Sequence, residues 1–377
     1  MLQLSDVQKE IVETVRDFVQ NEVIPVADEM EHRDEFPDKI VGQMKDLGLF
    51  GLTVPEEYGG IGESLTTYAL TIVELARGWM SLSGILNTHF MGCYLIDKFG
   101  TDEQKARLLP EMALGEVRAA LAMSDPEAGS DVQAIRTKAI RDGDDYVVNG
   151  QKMWLTNGLR AGIVMTLVKT DPGADPPHKG MSMLIVEKEP GEPDPAPGLD
   201  VGKNIEKMGY KGVETTEMTF NDFRLPRSSL LGADEGQGFR QVLDGIEVGR
   251  VNVAARAVGV ATRAFEEAIR YAQERRAFGK PISEHQAIQI HLAEMATTLE
   301  AARLMLFSAA EKKSAGERSD LEAGMAKLFA SEACNEIVLK ALRVHGGYGY
   351  SKEFVVERLY RDAPFLLIGE GTSEIQK

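Results

Sequence analysis

The sequence predicts a mostly α-helical α+β protein, ordered as helices, then a β domain, then a helical bundle. Three observations predict it. Apolar residues near the start recur at helical spacing behind a cap signal. Between about Val117 and Leu231, β-branched runs are broken by turn residues. From about Gly236 onward, long helical patterns return. The implied domains are residues 1–116, 117–231 and 232–377. Strands and helices do not alternate, which excludes a Rossmann arrangement.

The elements follow in order. Ser5 and Gln8 make a capping box, and Val7, Ile11, Val15, Phe18 and Val19 share one face of the helix behind it. Pro55, Gly59, Gly60 and Gly62 mark a loop. Further helices are expected from Leu65 to Arg77 and near Asp102 to Ala113. In the β domain, Asp144–Asp145 and Asn149–Gly150 read as turns around Tyr146–Val148, while Ile163 to Val168 and Met181 to Val186 read as strands. A small barrel or a sandwich would both satisfy this pattern. One long helix is expected over Phe239 to Arg275 and ends at Gly279–Lys280–Pro281. Ser283 is placed to cap a second, running to about Lys313. Ser319 with Glu322 is placed to box a third, which Gly346 and Gly347 stop near Val344.

Composition narrows the function. The 377 residues are 43% apolar and 27% charged, as in ordinary globular proteins. A net charge of −17 argues against non-specific binding to nucleic acid or anionic membrane. Two distant cysteines, Cys93 and Cys334, give neither a disulfide framework nor a zinc cluster. The start lacks a secretory pattern, and no apolar run is long enough to span a bilayer. The expected compartment is reducing: the cytoplasm of a bacterium, or the mitochondrial matrix after removal of a transit peptide.

Common catalytic signatures are absent. Gly346, Gly347 and Gly349 follow a helix rather than a strand, and Pro281 follows Gly279–Lys280 where a P-loop needs Ser or Thr. The six histidines lack zinc-ligand spacing, so no metal is expected, and there is no nucleophile elbow. Two segments stand out instead. Ala122 to Asp131 clusters short hydrogen-bonding groups around Pro126 and Gly129. Asn149 to Gly158 carries Trp154 and Thr156, two residues apart and hence on one strand face. An indole can stack on a flat heterocycle, and a hydroxyl beside it can donate to a ring nitrogen.

These two segments are similar to the flavin-binding signatures of acyl-CoA dehydrogenases. So are Pro55 to Gly60, Glu274 to Lys280, Glu284 to Ala287, Gly346 to Gly349, and Tyr360 to Gln376 with Glu370-Gly371-Thr372-Ser373. The matches keep their order and span nearly the whole chain. The resemblance implies a helical domain, a β-barrel domain and a four-helix bundle, usually as a homotetramer. It implies FAD as cofactor, an acyl-CoA thioester as substrate and electron-transferring flavoprotein as electron acceptor.

Residue by residue, the resemblance puts the backbone at Met123 with Ser124, Trp154 and Thr156 on the flavin ring. Arg275, Phe278 and Gln286, joined by Gly346 and Gly347, would reach FAD across a subunit interface. Thr372 and Glu374 would lie by the cofactor, and Arg343 stands where a glutamine is usual. Ser130, Arg250 and Gly371 would contact substrate, and Glu247 would lie near the adenine. Glu370 would be the base that takes the α-proton, its N–H helping to polarise the thioester carbonyl. Some relatives carry the base just before the position of Arg250; Gly249 stands there. Gly249 and Gly369 lack side chains at the thioester end of the pocket, which suggests room for a branched acyl group; a short straight chain is the alternative. Relatives that take dicarboxylic substrates carry an arginine in the region of Trp79 to Asn87, and none is found there. An acyl-CoA oxidase and a non-catalytic flavin- or acyl-CoA-binding protein are the competing functions.

Overall fold

The computed structural model describes residues 4–377. Helix α1 (Asp6–Phe18) starts at the expected box: the Ser5 hydroxyl accepts from the Gln8 N–H, and the Gln8 side chain accepts from the Ser5 N–H. Val15 and Phe18 are buried as expected, but Val7 is exposed and Val12 takes a core place. A π-helical turn at Val19–Val23 leads straight into α2 (Ile24–His32). Pro25 explains that turn, because it lacks the N–H that would continue the α ladder. Helices α3 (Asp38–Asp46), α4 (Leu65–Gly78), α5 (Met80–Phe99) and α6 (Asp102–Ala113) complete the first unit.

Helix α5 has no counterpart among the sequence expectations. Sixteen of its twenty residues are buried, including Ser81, Ser83, Asn87, Thr88 and His89. It packs on α4, α6, α7 and the β domain at once, so it has no polar face and no stripe for periodicity to reveal.

The β domain is one curled seven-stranded sheet: β1 (Ala119–Ala122), β2 (Lys138–Asp142), β3 (Asp145–Thr156), β4 (Ile163–Lys169), β5 (Met181–Glu187), β6 (Leu199–Val201) and β7 (Thr215–Pro226). The hydrogen-bonded path runs β1-β4-β2-β3-β7-β6, β5 pairs with β4 off that path, and β1 and β2 both lie parallel to β4. Alternation along β4 makes two cores. Val164 and Val168 point into the curl with Tyr146, Leu155, Leu184, Met218 and Phe220. Ile163, Met165 and Leu167 point outward onto Leu95, Leu109 and Met112 of the helical unit.

Asn149–Gly150 is not a turn between strands. It lies inside β3 at a register shift, where Gly150 (φ 142°) lets the backbone pass close to Thr137. The β2–β3 turn is Gly143–Asp144, with Gly143 at φ 65°.

Three long helices follow: α7 (Gly238–Glu274), α8 (Gln286–Ser314) and α9 (Asp320–His345). The two-residue strands β8 (Arg276–Ala277) and β9 (Lys280–Pro281) pair between α7 and α8. Short helices α10 (Val356–Asp362), α11 (Phe365–Ile368) and α12 (Ser373–Gln376) pack along α9. Two expected caps do not form. His285, not Ser283, stands at the N-cap of α8. Ser319 turns away from its helix and donates to Glu247 at 2.6 Å.

Candidate active site

The site is built where α5, α7 and the C-terminal loop meet the end of β3. Glu370 sits between Gly369 and Gly371 at φ 56°, a left-handed conformation that is strained for a residue with a side chain. Gln376 Nε2 holds the strained turn by donating to the Glu370 carbonyl at 3.1 Å, and Lys327 Nζ by donating to the Gly371 carbonyl at 2.7 Å. Lys327 itself is buried in α9, and burial lowers its pKa to about 8.

The strain aims the Glu370 carboxyl group inward. Asn87 Nδ2 of α5 donates to Oε1 at 3.2 Å. On α7, a Cβ added at Gly249 would lie 2.9 Å from Oε2 and 3.2 Å from Met91 Sδ. Burial raises the carboxyl pKa above its ordinary value; Arg256, Asn87, Arg250 and Lys327 oppose that rise, in descending order. Among the described residues no backbone acceptor takes the Glu370 N–H.

The β domain reaches the same place through Asn157, which follows β3. Its Nδ2 donates to the Ile85 carbonyl at 2.9 Å and to Thr88 Oγ1 at 2.7 Å, either side of Asn87. Thr156 lies by the Tyr210 hydroxyl. Trp154 stands at φ 65° beside a second register shift and is 60% exposed, while Leu155 is buried. Trp154 and Thr156 therefore flank the core side chain. The Met153 N–H donates to the Ser124 carbonyl at 2.9 Å, which brings Ser124 beside Trp154. Beneath them, Asp125 pairs with buried Lys152 at 2.7 Å and accepts from Arg136 N and Thr137 N at 2.6 and 2.8 Å. Burial would raise the Asp125 pKa, but Lys152 and these N–H groups hold it below its ordinary value. Lys152 also donates to the Met123 carbonyl at 3.0 Å, so that oxygen already has a partner.

A second group lies elsewhere. Arg275, Phe278, Gly346 and Gly347 line a surface cavity of about 900 Å³ with Tyr271, Tyr348 and His285. Phe278 there is 95% exposed. Gln286 and Arg343 are exposed outside this lining. Glu247 is held by Lys313 at 3.0 Å and by Ser319. Ser130 is exposed. Arg250 keeps a buried Nε with no partner among the described residues. The Thr372 hydroxyl caps α12 by accepting from the Ile375 N–H at 3.3 Å, and exposed Glu374 follows it.

Three family profiles match in order: the acyl-CoA dehydrogenase N-terminal domain over residues 5–116, the middle domain over 120–223 and the C-terminal domain over 236–377. The chain belongs to the acyl-CoA dehydrogenase family. It is 42% identical over 364 residues to an acyl-CoA dehydrogenase of Bacillus subtilis, covering 96% of this chain and 94% of that one. It is 39% identical to the mitochondrial short-chain specific acyl-CoA dehydrogenase of Bos taurus, covering 100% and 89%. The solved butyryl-CoA dehydrogenase of Megasphaera elsdenii superposes with a TM-score of 0.95 at 33% identity, covering 100% and 97%. An acyl-CoA dehydrogenase is an oxidoreductase, and members of this family are flavoproteins.

Four residues at the site were given no role by the sequence: Asn87, Arg256 and Lys327 lie outside every motif, and Asn157 lies inside the Asn149–Gly158 segment. Each is one polar residue in a buried helix or at a strand end, and only its fold neighbours give it a role. The space at the two glycines is also decided by the fold. Glu370 fills the place beside Gly249, and a Cβ at Gly369 would lie 2.8 Å from the Phe365 ring.

Proposed function

We propose that this acyl-CoA dehydrogenase uses Glu370 to remove the α-proton of a short acyl-CoA thioester. The observation that carries the reading is the desolvated Glu370 carboxyl group, aimed inward from a strained turn and met by Asn87. A thioester α-proton is weakly acidic, so its removal needs a base whose pKa has been raised and a donor for the enolate oxygen. Burial supplies the first, and the uncommitted Glu370 N–H is placed to supply the second.

The residues fit a flavin. Trp154 offers an exposed indole between Ser124 and Thr156, and Arg275, Phe278, Gly346 and Gly347 form a cradle of their own. FAD, when bound, accepts the β-hydride as an electron pair, so that the Cα–Cβ bond becomes double. Since the cradle does not include the Trp154 group, it would serve the FAD of a second subunit. The unpartnered Arg250 Nε is available to an anionic part of the substrate. Electron-transferring flavoprotein is the proposed electron acceptor, by family resemblance.

Anaerobic addition of butyryl-CoA should bleach the yellow enzyme. E370Q should bind the same ligand and lower the bleaching rate by roughly 10²–10⁴-fold. Bleaching by E370Q at the wild-type rate would remove Glu370 from the chemistry. Peroxide formed in step with turnover would favour the oxidase reading.

A further inference from the structure

Arg256 of α7 is a buried cation in this site without an ion-pair partner. It is 2% exposed. Both of its side-chain hydrogen bonds go to neutral groups: Nε donates to Asn252 Oδ1 at 2.5 Å, and Nη1 donates to the Tyr210 hydroxyl at 3.1 Å. Among the described residues no carboxylate pairs with it directly, and Nη2 donates to nothing. Glu370 feels its charge across the site more than that of any other cation. Burying a guanidinium with no carboxylate in direct contact is costly. A ligand that brings an anion would offset that cost.

Helix geometry places the guanidinium relative to Glu370. Gly249, Asn252 and Arg256 fall at i, i+3 and i+7, one stripe of α7. Gly249 faces the Glu370 carboxylate. The bond from Arg256 Nε back to Asn252 shows that the side chain lies along the helix toward Gly249, and so toward Glu370. The surroundings are polar as well. The Tyr68 hydroxyl accepts from Asn252 Nδ2 at 2.8 Å, and Tyr210 stacks on Phe365 beneath Arg256. A Cβ at Gly84 would fall on the Tyr210 hydroxyl oxygen. Arg256 thus reaches, from α7, the flank of the Trp79–Asn87 segment that itself carries no recognising arginine.

We propose that Arg256 is a specificity-determining residue and that the acyl group bears a second carboxylate. This deepens the reading of Glu370 as the base and rests on it. The rise from Gly249 to Arg256 is ~10 Å, and the backward lean of the side chain shortens the gap to a diacid of about four or five carbons. Planar guanidinium and carboxylate pair through two parallel hydrogen bonds, and the unpartnered Nη2 is available for one. The oxidation itself is unchanged.

The test compares succinyl-CoA and glutaryl-CoA with butyryl-CoA. Wild-type kcat/KM should be higher for at least one dicarboxylic thioester. In the E370Q background, calorimetry should show that thioester binding more tightly than butyryl-CoA, whatever the turnover. R256Q should lower the dicarboxylic-to-butyryl ratio of kcat/KM at least about tenfold, with R256K intermediate. Preference of the wild type for butyryl-CoA in both turnover and binding overturns the proposal and leaves Glu370 untouched. An R256Q variant that loses both substrates equally also overturns it. Tighter dicarboxylic binding together with bleaching by E370Q at the wild-type rate supports Arg256 while removing Glu370 as the base.

Discussion

Glu370 is set by two opposing effects. Burial raises its pKa, and one neutral donor plus three cations stop the rise from going further. A base must be ionised to act, so kcat/KM should climb with pH through the folded Glu370 pKa, and the acidic limb should lie above the usual 4.5. The Asn87 donor stabilises the charged form. N87L should therefore move the acidic limb to higher pH, read as a shift in the kcat/KM profile. A limb that stays in place, or moves to lower pH, would show that Asn87 does not tune the base.

At the scale of elements, α5 is the hub on which the others converge. It gives Asn87 to Glu370, Ile85 and Thr88 to Asn157, and Gly84 to the Tyr210 hydroxyl. Tight approach on every side leaves no slack at Gly84. G84A should cost about 1–3 kcal/mol through overpacking, measured as a lower urea midpoint with an unchanged slope. A midpoint equal to that of the wild type would mean that Tyr210 moves aside freely. The unformed cap at Ser319 has a similar origin. The Ser319 hydroxyl is drawn to the ion-paired Glu247 on α7, to which it donates, and accepts from none of the helix N–H groups.

For the whole molecule, the cavity around Arg275 and Gly346 is rimmed by aromatic rings facing water. Phe278 is 95% exposed and Tyr348 49%, with Tyr350 beyond them at 88%. Rings grouped in this way mark a contact surface more often than bare solvent exposure. If this face meets a second subunit, F278D should lower the assembled mass in sedimentation and the flavin retained per chain. An unchanged mass and flavin content would place the interface elsewhere.

By itself, the sequence determined the order of helices, β domain and helices, the α1 cap, the long α7 and the turn that carries Glu370. These rest on local signals: periodicity, capping residues and glycines on either side of one carboxylate. Tertiary structure alone decided the rest. Helix α5 is buried all round and lacks a stripe, and β3 runs through an Asn-Gly pair because a bulge absorbs it. A Cβ at Gly249 would meet the Glu370 carboxylate, which arrives there from the far end of the chain. Arg256 faces the base only because α5, α7 and the Tyr210 loop close around it. The electrostatics of a buried charge depend on neighbours distant in sequence, and no local pattern encodes them.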